Sequence, residues 1–344
     1  IDIVMVTGDS LGTASSIAKE VKIVSKSDDI MLTSSELSKL SDEEVKKIIP
    51  KLKVVARALP EDKKRLVELA KEINLVTGMT GDGVNDSIAL KKADVSFAMG
   101  SGTEVAKEAS DIVILDDNIL SISKAILYGR TTFKNIRKFI IFQLTINLAA
   151  TSLALIGPFI GVPSPITVIQ MLWINMVMDT LAGLAFSYEV PRIEYMKEAP
   201  KKKDESIINR YMFNEIILSG VYLLIVCILF LKLPILRGMF TDNSHYMTAF
   251  FTLFILLAVN NLFNARTHRI NIFSHINKNI PFILIVVFII FAQLFIVYSG
   301  ITIFGTTRIN MKEIFVIFMI SLTIIPCDIG RKLVLKRLRG DIGV

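Results

Sequence analysis

Cysteine is scarce in this chain: 344 residues include two, Cys227 and Cys327. Both lie in apolar segments, so neither a disulfide framework nor a thiolate metal site follows. Acidic charge is also under-supplied, with 32 Asp and Glu against 39 Lys and Arg, a net charge of +7. The basic excess sits beside apolar stretches, which points to a membrane and away from nucleic acid as the partner. Between Lys138 and Asp179 there is no charged residue at all. What the chain has in abundance is apolar surface: 52% of residues are hydrophobic and 21% charged, with mean hydropathy +0.56. That is too apolar for an ordinary soluble enzyme and too charged for a bare membrane bundle. A soluble part joined to a membrane part is the simplest division.

Residues 1–117 alternate short apolar runs with helical patterns. Strands are expected at 3–6, 54–56, 75–79, 95–98 and 112–115, and helices near 13–21, 42–49, 62–73 and 104–109. Such alternation predicts parallel βα units, whose ligands sit at the carboxyl ends of the strands. The strand-like run at 3–6 begins at once, and we read the start as a cut inside a domain. From about residue 120 one long helix is expected to run to 156, basic in its first half at Lys124, Arg130, Lys134, Arg137 and Lys138.

Six runs are long enough to cross a bilayer, which takes about 20 apolar residues: 139–160, 166–187, 211–231, 246–265, 280–299 and 313–329. Basic residues orient them. Arg130, Lys134, Arg137 and Lys138 precede the first run. Arg192, Lys197, Lys201, Lys202, Lys203 and Arg210 follow the second, and Arg266, Arg269 and Lys278 the fourth. Arg331, Lys332, Lys336, Arg337 and Arg339 follow the sixth, where we read a positive-inside anchor. The opposite loops hold Lys232, Arg237, Arg308 and Lys312. The soluble part and the C-terminus are therefore expected on the cytoplasmic side. The expected division is 1–120 soluble domain, 121–138 stalk and 139–344 six-span domain.

Two segments carry chemistry. Thr7-Gly8-Asp9 ends the first strand, and Thr80-Gly81-Asp82-Gly83-Val84-Asn85-Asp86 follows the strand at 75–79. Glycines let the backbone turn sharply and approach a phosphate. Carboxylates at strand ends suit Mg²⁺, which takes oxygen ligands and keeps several waters. Lys63, at a helix start, is placed to offset phosphoryl charge. By itself Thr7-Gly8-Asp9 equally describes a turn with a helix cap, and Lys63 a solvated helix residue. Two aspartates, an asparagine and two glycines after an apolar strand are rarely only a loop.

The residues 80–86, then Ser87-Ile88-Ala89-Leu90, Ala98-Met99-Gly100-Ser101-Gly102-Thr103, Ala109-Ser110-Asp111-Ile112-Val113 and Asp116-Asp117-Asn118, resemble the hinge and phosphorylation-domain signature of P-type ATPases. The order of Thr7-Gly8-Asp9, Lys63, Asp82 and Asp86 matches that family too. The resemblance implies an α/β fold of the haloacid-dehalogenase type, an ATP-hydrolysing ion pump, and Mg²⁺ and ATP as cofactors. By it, Asp82 is a Mg²⁺ ligand. Thr7, Gly8 and Lys63 contact the transferred phosphoryl group, Asn85 helps to position it, and Asp9 and Asp86 hold the loops or the groups around the metal. The family's phosphorylated aspartate lies in the string DKTGT, which does not occur in these residues. The missing N-terminal half of the same pump is the expected partner, and the chain alone is expected to be inactive. A carboxylate nucleophile is what splits ATP hydrolysis into two steps.

Ionisable and amide groups inside membrane spans default to function. The first run carries Gln143, Thr145 and Asn147. The second carries Asn175 and Asp179, four apart and hence expected on one helix face. Gln143-Leu144-Thr145-Ile146-Asn147, the string from Gln170 to Thr180, and Asn261-Leu262-Phe263-Asn264-Ala265-Arg266 resemble the plasma-membrane type of calcium ATPase. Asn147, Asn175 and Asp179 would then hold the transported Ca²⁺. Ala150, Met178 and Ala258 depart from the two-ion pattern, so one ion site is expected to be absent. The resemblance places the pump in the plasma membrane. Open alternatives are a pump for Mn²⁺ or another cation, a membrane-anchored phosphatase with its own nucleophilic aspartate, and a non-catalytic membrane protein with a degenerate phosphatase-like domain.

Overall fold

In the computed structural model, residues 1–202, 204–299 and 301–339 are described, Leu338 and Arg339 by backbone alone. Lys203 and residues 340–344, counted above, lie outside the described residues. The chain divides into two compact units, residues 1–128 with 193–206, and residues 129–192 with 207–344.

The first unit is built from six short parallel strands and the helices between them. The first half runs β1 (Met5–Val6), α1 (Leu11–Glu20), β2 (Ile30–Thr33), α2 (Ser34–Leu37), α3 (Asp42–Ile48), β3 (Leu52–Ala56) and α4 (Pro60–Glu72). The second half runs β4 (Gly78–Gly81), α5 (Ser87–Lys92), β5 (Val95–Met99), α6 (Glu104–Ala109) and β6 (Ile112–Ile114). The sheets have the orders β1-β3-β2 and β4-β5-β6, parallel throughout, with Met5 opposite Val54 and Thr80 opposite Phe97. Helices cover both faces, as parallel sheets require. Val54 and Ala56 pack with Ala14 and Ala18 of α1, while Val55 faces Val45, Leu66 and Leu69. In the second sheet Ala98 packs with Leu90, Ala106 and Ala109, and Phe97 with Ile114 and Ile122.

Local chemistry fixes the helix starts. Ser41 and Glu44 form a reciprocal capping box at α3. Pro60 opens α4, where no amide is needed, and Asp62 reaches back to accept the amide of Leu59 at 2.8 Å. Strand β2 was not expected from the sequence. Its residues Ile30-Met31-Leu32-Thr33 are only half-buried, and a turn and a capping box flank them closely. The strand expected at 75–79 forms later, at Gly78–Gly81, because its backbone pairs with β5 whatever the side chains.

α7 spans Ile119–Ile156 without a break. The second unit then holds α8 (Val168–Leu172), a π-helical stretch (Trp173–Met178), α9 (Asp179–Ser187), α10 (Arg210–Lys232), α11 (Pro234–Arg237), α12 (Asn243–Arg266), α13 (Ile280–Tyr298), α14 (Met311–Ser321) and α15 (Ile324–Arg339). Among the described residues, six segments are long and apolar enough to cross a membrane: Ile119–Ile160, Val168–Ser187, Arg210–Lys232, Asn243–Arg266, Ile280–Tyr298 and Met311–Arg337. α12 is the centre of the bundle, with 83% of its apolar window buried against 28–50% for the others. It packs on α10, α13, α14 and α15.

Candidate functional site

In the first unit the site residues occupy two strand-end loops. The turn after β1 is stitched to the turn after β3: Thr7 N donates to Val55 O (3.0 Å), Ala58 N to Thr7 O (2.9 Å) and Arg57 N to Asp9 O (2.9 Å). Within it, Thr7 Oγ1 donates to Asp9 Oδ2 at 2.9 Å and accepts the Asp9 amide at 3.2 Å. Gly8 and Asp9 are exposed.

The loop after β4 closes on Asp86, which is buried. One carboxylate oxygen of Asp86 pairs with Lys63 Nζ at 2.6 Å. The other faces the amides of Asp82 and Gly83 at 3.3 and 3.5 Å. Gly81 makes this fit: a Cβ there would stand 2.5 Å from Asp86 Cβ. Asp82 and Asn85 are exposed. The carbonyl of Asp82 takes the amide of Thr103 at 2.8 Å. The same carbonyl would meet a Cβ on Gly102 at 2.8 Å, so only glycine allows that approach. Asp117 accepts from Ser101 at 3.1 Å and so holds the 100–102 turn. Side-chain and backbone hydrogen bonds from Ser101 keep its carboxyl below the usual aspartate range. The structure thus brings Lys63, Asp82 and Asp86 together. Among the described residues, no hydrogen bond or ion pair joins Thr7, Gly8 or Asp9 to that loop.

In the second unit, Asp179 is buried, and neither carboxylate oxygen has a hydrogen-bond partner. It follows directly on the π-helical turn Trp173–Met178, in which Asn175 is exposed. The 3.6-residue spacing behind the one-face expectation therefore does not hold there. π turns interrupt α-helices rarely, and often at functional sites. Asn147 is half-buried on α7, two residues from Thr145, whose hydroxyl donates to Ile141 O at 2.7 Å. No hydrogen bond links Asn147, Asn175 and Asp179 among the described residues. An unpaired carboxylate inside an apolar bundle is costly unless something charged meets it there.

Residues 163–334, half of the chain, match the family described as cation transporting ATPase, C-terminus. The chain belongs to the P-type cation-transporting ATPases. Residues 64–126 of this ATPase chain match haloacid dehalogenase-like hydrolases, in agreement with its parallel α/β unit. It is 41% identical over 322 residues to calcium-transporting ATPase 2 of Schizosaccharomyces pombe, covering 90% of this chain and 24% of that protein. It is 38% identical over 339 residues to the human plasma membrane calcium-transporting ATPase 4, covering 90% and 27%. It is 39% identical over 300 residues to a probable plasma-membrane-type calcium-transporting ATPase 6 of Oryza sativa, covering 85% and 29%. The chain thus spans about a quarter of the length of these relatives, and its match is to their C-terminal region. With six spans it is an integral, multi-pass membrane protein.

The donor set of the ATPase loops fits Mg²⁺. Asp82 presents an exposed carboxylate beside loop amides, and no cluster of three acidic, His or Cys side chains competes for a metal among the described residues. One carboxylate suits an ion that keeps most of its waters.

Two buried charge networks went unread in the sequence. Glu189, just past α9, pairs with Arg266 (3.1 Å), Lys138 (3.5 Å) and Arg192 (3.9 Å), and accepts from Asn279 at 2.9 Å. Arg331 pairs with Asp328 (2.7 Å) and Glu215 (3.2 Å), and Lys332 with Asp328 (2.6 Å). Lys332 also donates to the carbonyls of Asn264 (3.1 Å) and Thr267 (2.8 Å) at the end of α12. Arg331 and Lys332 are buried, so they lock α15 onto α10 and α12 and are not the anchors expected. Glu215 and Asp328, acids within apolar runs, were the available signal.

Proposed function

We propose that this chain is the C-terminal part of an ATP-driven pump that exports Ca²⁺ through an aspartyl-phosphate intermediate. The observation that carries the reading is Asp179: a buried carboxylate with both oxygens unpartnered, on a membrane helix, beside a π-helical turn. The relatives named above, all calcium-transporting ATPases, support the choice of ion. Asn147, Asn175 and Asp179 supply part of the six to eight oxygens that Ca²⁺ takes, and the remainder comes from helices outside this chain.

In the phosphorylation unit, assigned to residues 1–120, Asp82 is the Mg²⁺ ligand. The metal, when bound, supplies positive charge against the phosphoryl oxygens. Thr7 and Gly8 contact the phosphoryl group, with the amide of Gly8 as donor. Lys63 adds positive charge, held at the mouth of the site by Asp86. Asn85 orients the group, and Asp9 fixes the Thr7 hydroxyl. Residues 121–138 form the stalk, and residues 139–344 the six-span domain. The basic loops favour a cytoplasmic phosphorylation unit and C-terminus, and the relatives favour the plasma membrane.

The test is acid-stable labelling by radioactive ATP. The full-length pump should form a phosphoenzyme only when Ca²⁺ is present, and Mn²⁺ should replace Ca²⁺ less well. The present chain alone should take up no label, since DKTGT is not among its residues. Labelling of the isolated chain would reveal an unrecognised nucleophile and overturn the assignment.

A further inference from the structure

The Glu189 network lies where four membrane helices converge, outside the ion site described above. Glu189 is attached to the end of α9, its amide donating to Phe186 O at 3.2 Å. Its side chain is 3% exposed, and its carboxylate is met by α7 through Lys138, by α12 through Arg266 and by the start of α13 through Asn279. Arg266 is itself immobilised. Its guanidinium donates to the carbonyls of Ile272 (2.9 Å) and Ser274 (2.6 Å) and stands 5.5 Å over the ring of Phe282. Asn279 is pinned as well, capping α13 by accepting the amide of Phe282 at 3.0 Å. A carboxylate so enclosed is a fixed point for whatever helix carries it.

That helix begins with Asp179. The nine-residue helix Asp179–Ser187, about 12 Å long, joins the ion carboxylate to the segment that carries the anchor. On the other side of Asp179 lies the π-helical turn, whose wider ring does not set the helix phase as an α turn does. Packing alone leaves room for movement beside the anchor. An open cleft of about 200 Å³, lined by Thr132, Asn135, Ile136, Phe139, Gly183 and Ser187, lies between α7 and α9. Phe186, against Phe142 and Phe282, closes that end with aromatic contacts, and Ala182 and Ala185 are fully buried beside it. The charged anchor adds a directional constraint on the rotation and height of α9 to this apolar packing.

We propose that Glu189, held by Arg266 and Asn279, is a positioning residue for the ion site, fixing where Asp179 presents its oxygens. The proposal rests on the calcium-pump reading above. Glu189 does not touch the ion. It acts through nine residues of helix, and its loss lowers ion affinity without touching nucleotide use.

The experiment uses the full-length pump in membranes, carrying Glu189→Gln or Asn279→Ser. Serine keeps the cap of α13 and removes the amide that Glu189 receives. The readouts are the Ca²⁺ and the ATP concentrations giving half-maximal phosphoenzyme. Glu189→Gln should raise the Ca²⁺ value about 3-fold or more, the range seen for residues that modulate a site without contacting its ligand. Asn279→Ser should shift it in the same direction by less, and the ATP value should not move in either. Variants that reach wild-type maximal labelling with an unshifted Ca²⁺ value refute the positioning role, as does an equal shift of both values. If Glu189→Gln yields no phosphoenzyme, the Asn279→Ser variant decides by the same criteria. A wild-type pump whose labelling ignores Ca²⁺ refutes the calcium reading and this proposal with it; a Ca²⁺-dependent wild type with unshifted variants refutes only the positioning role.

Discussion

The ammonium of Lys63 stands 2.6 Å from Oδ1 of Asp86, and this contact ties α4 in one half of the phosphorylation unit to the loop after β4 in the other. Both side chains are largely shielded, at 19% and 6% exposure, so the pair is screened less than a surface ion pair. The same carboxylate organises the amides of Asp82 and Gly83. Lys63 and Asp82 are thereby placed by one residue that is not expected to touch the phosphoryl group.

The two members of this pair should act as a unit. In the full-length pump, Lys63→Met and Asp86→Asn should each slow phosphoenzyme formation. The double variant should be less impaired than the sum, with an interaction of about 0.5–3 kcal/mol, as for residues in direct contact. Rapid-quench labelling of all four forms gives the cycle. Additive losses would show that the contact does not matter in the working enzyme.

Gly81→Ala should damage the same loop by bulk alone. Its Cβ would intrude to 2.5 Å from Asp86 Cβ, and overpacking of that kind costs about 1–3 kcal/mol. At Gly83 the nearest atom to a Cβ is 3.9 Å away, so Gly83→Ala serves as the tolerated control. Thermal inactivation midpoints should fall for the first and hold for the second; equal midpoints would contradict the close approach.

Asp82→Asn should abolish phosphoenzyme formation at ordinary Mg²⁺. Removing an electrostatic contact to a transferring phosphoryl group costs on the order of 3 kcal/mol or more. Turnover near wild type would strip Asp82 of its role as the metal ligand.

Asp179→Asn should eliminate transport, and the wild-type pump should bind one Ca²⁺ per phosphorylation site. Ala150 and Ala258 are buried in the apolar core of the bundle and bring no charge to a second divalent ion, which a low-dielectric interior would require. Equilibrium binding of ⁴⁵Ca to the purified full-length protein measures this. Two bound ions with a steeply sigmoidal curve would mean that helices outside this chain complete a second site.

The Glu189 anchor should be insensitive to pH near neutrality. Burial pushes its carboxyl up, but Lys138, the Asn279 amide and Arg266 together outweigh burial and hold it below the ordinary glutamate range. A carboxyl depressed in the fold contributes stability above its unfolded pKa and loses it only as pH falls through the lower folded value. The Ca²⁺-affinity difference between wild type and Glu189→Gln should therefore be constant from about pH 6 to about pH 7. A difference that vanishes at the acid end would show Glu189 taking up a proton there.

The helices were legible where periodicity and length spoke. Glu104–Ala109 and the long α7 appear where the pattern puts them, and six apolar runs became six membrane helices. β2 was missed because half-buried Ile30-Met31-Leu32-Thr33 has no alternation to read. The residue types of the candidate site were visible as strings, yet their pairing was not. Nothing in the spacing of Lys63 and Asp86, 23 residues apart, says that they touch.

The sequence by itself determined which parts are soluble and which cross the membrane, because burial in lipid demands long uncharged runs that no folding choice can disguise. It also determined the family, since glycine and aspartate at fixed offsets in the loop after β4 answer to local backbone geometry. Tertiary structure decided the fate of the charges. Arg266, Arg331 and Lys332, basic residues at span ends, read from the sequence as surface anchors. They are buried because Glu189 and Glu215, remote in the chain, and Asp328, one helical turn away, come within ion-pair distance of them. The π turn before Asp179 is likewise a property of the packed bundle, since a single extra residue in a helical turn leaves no mark in an already apolar stretch.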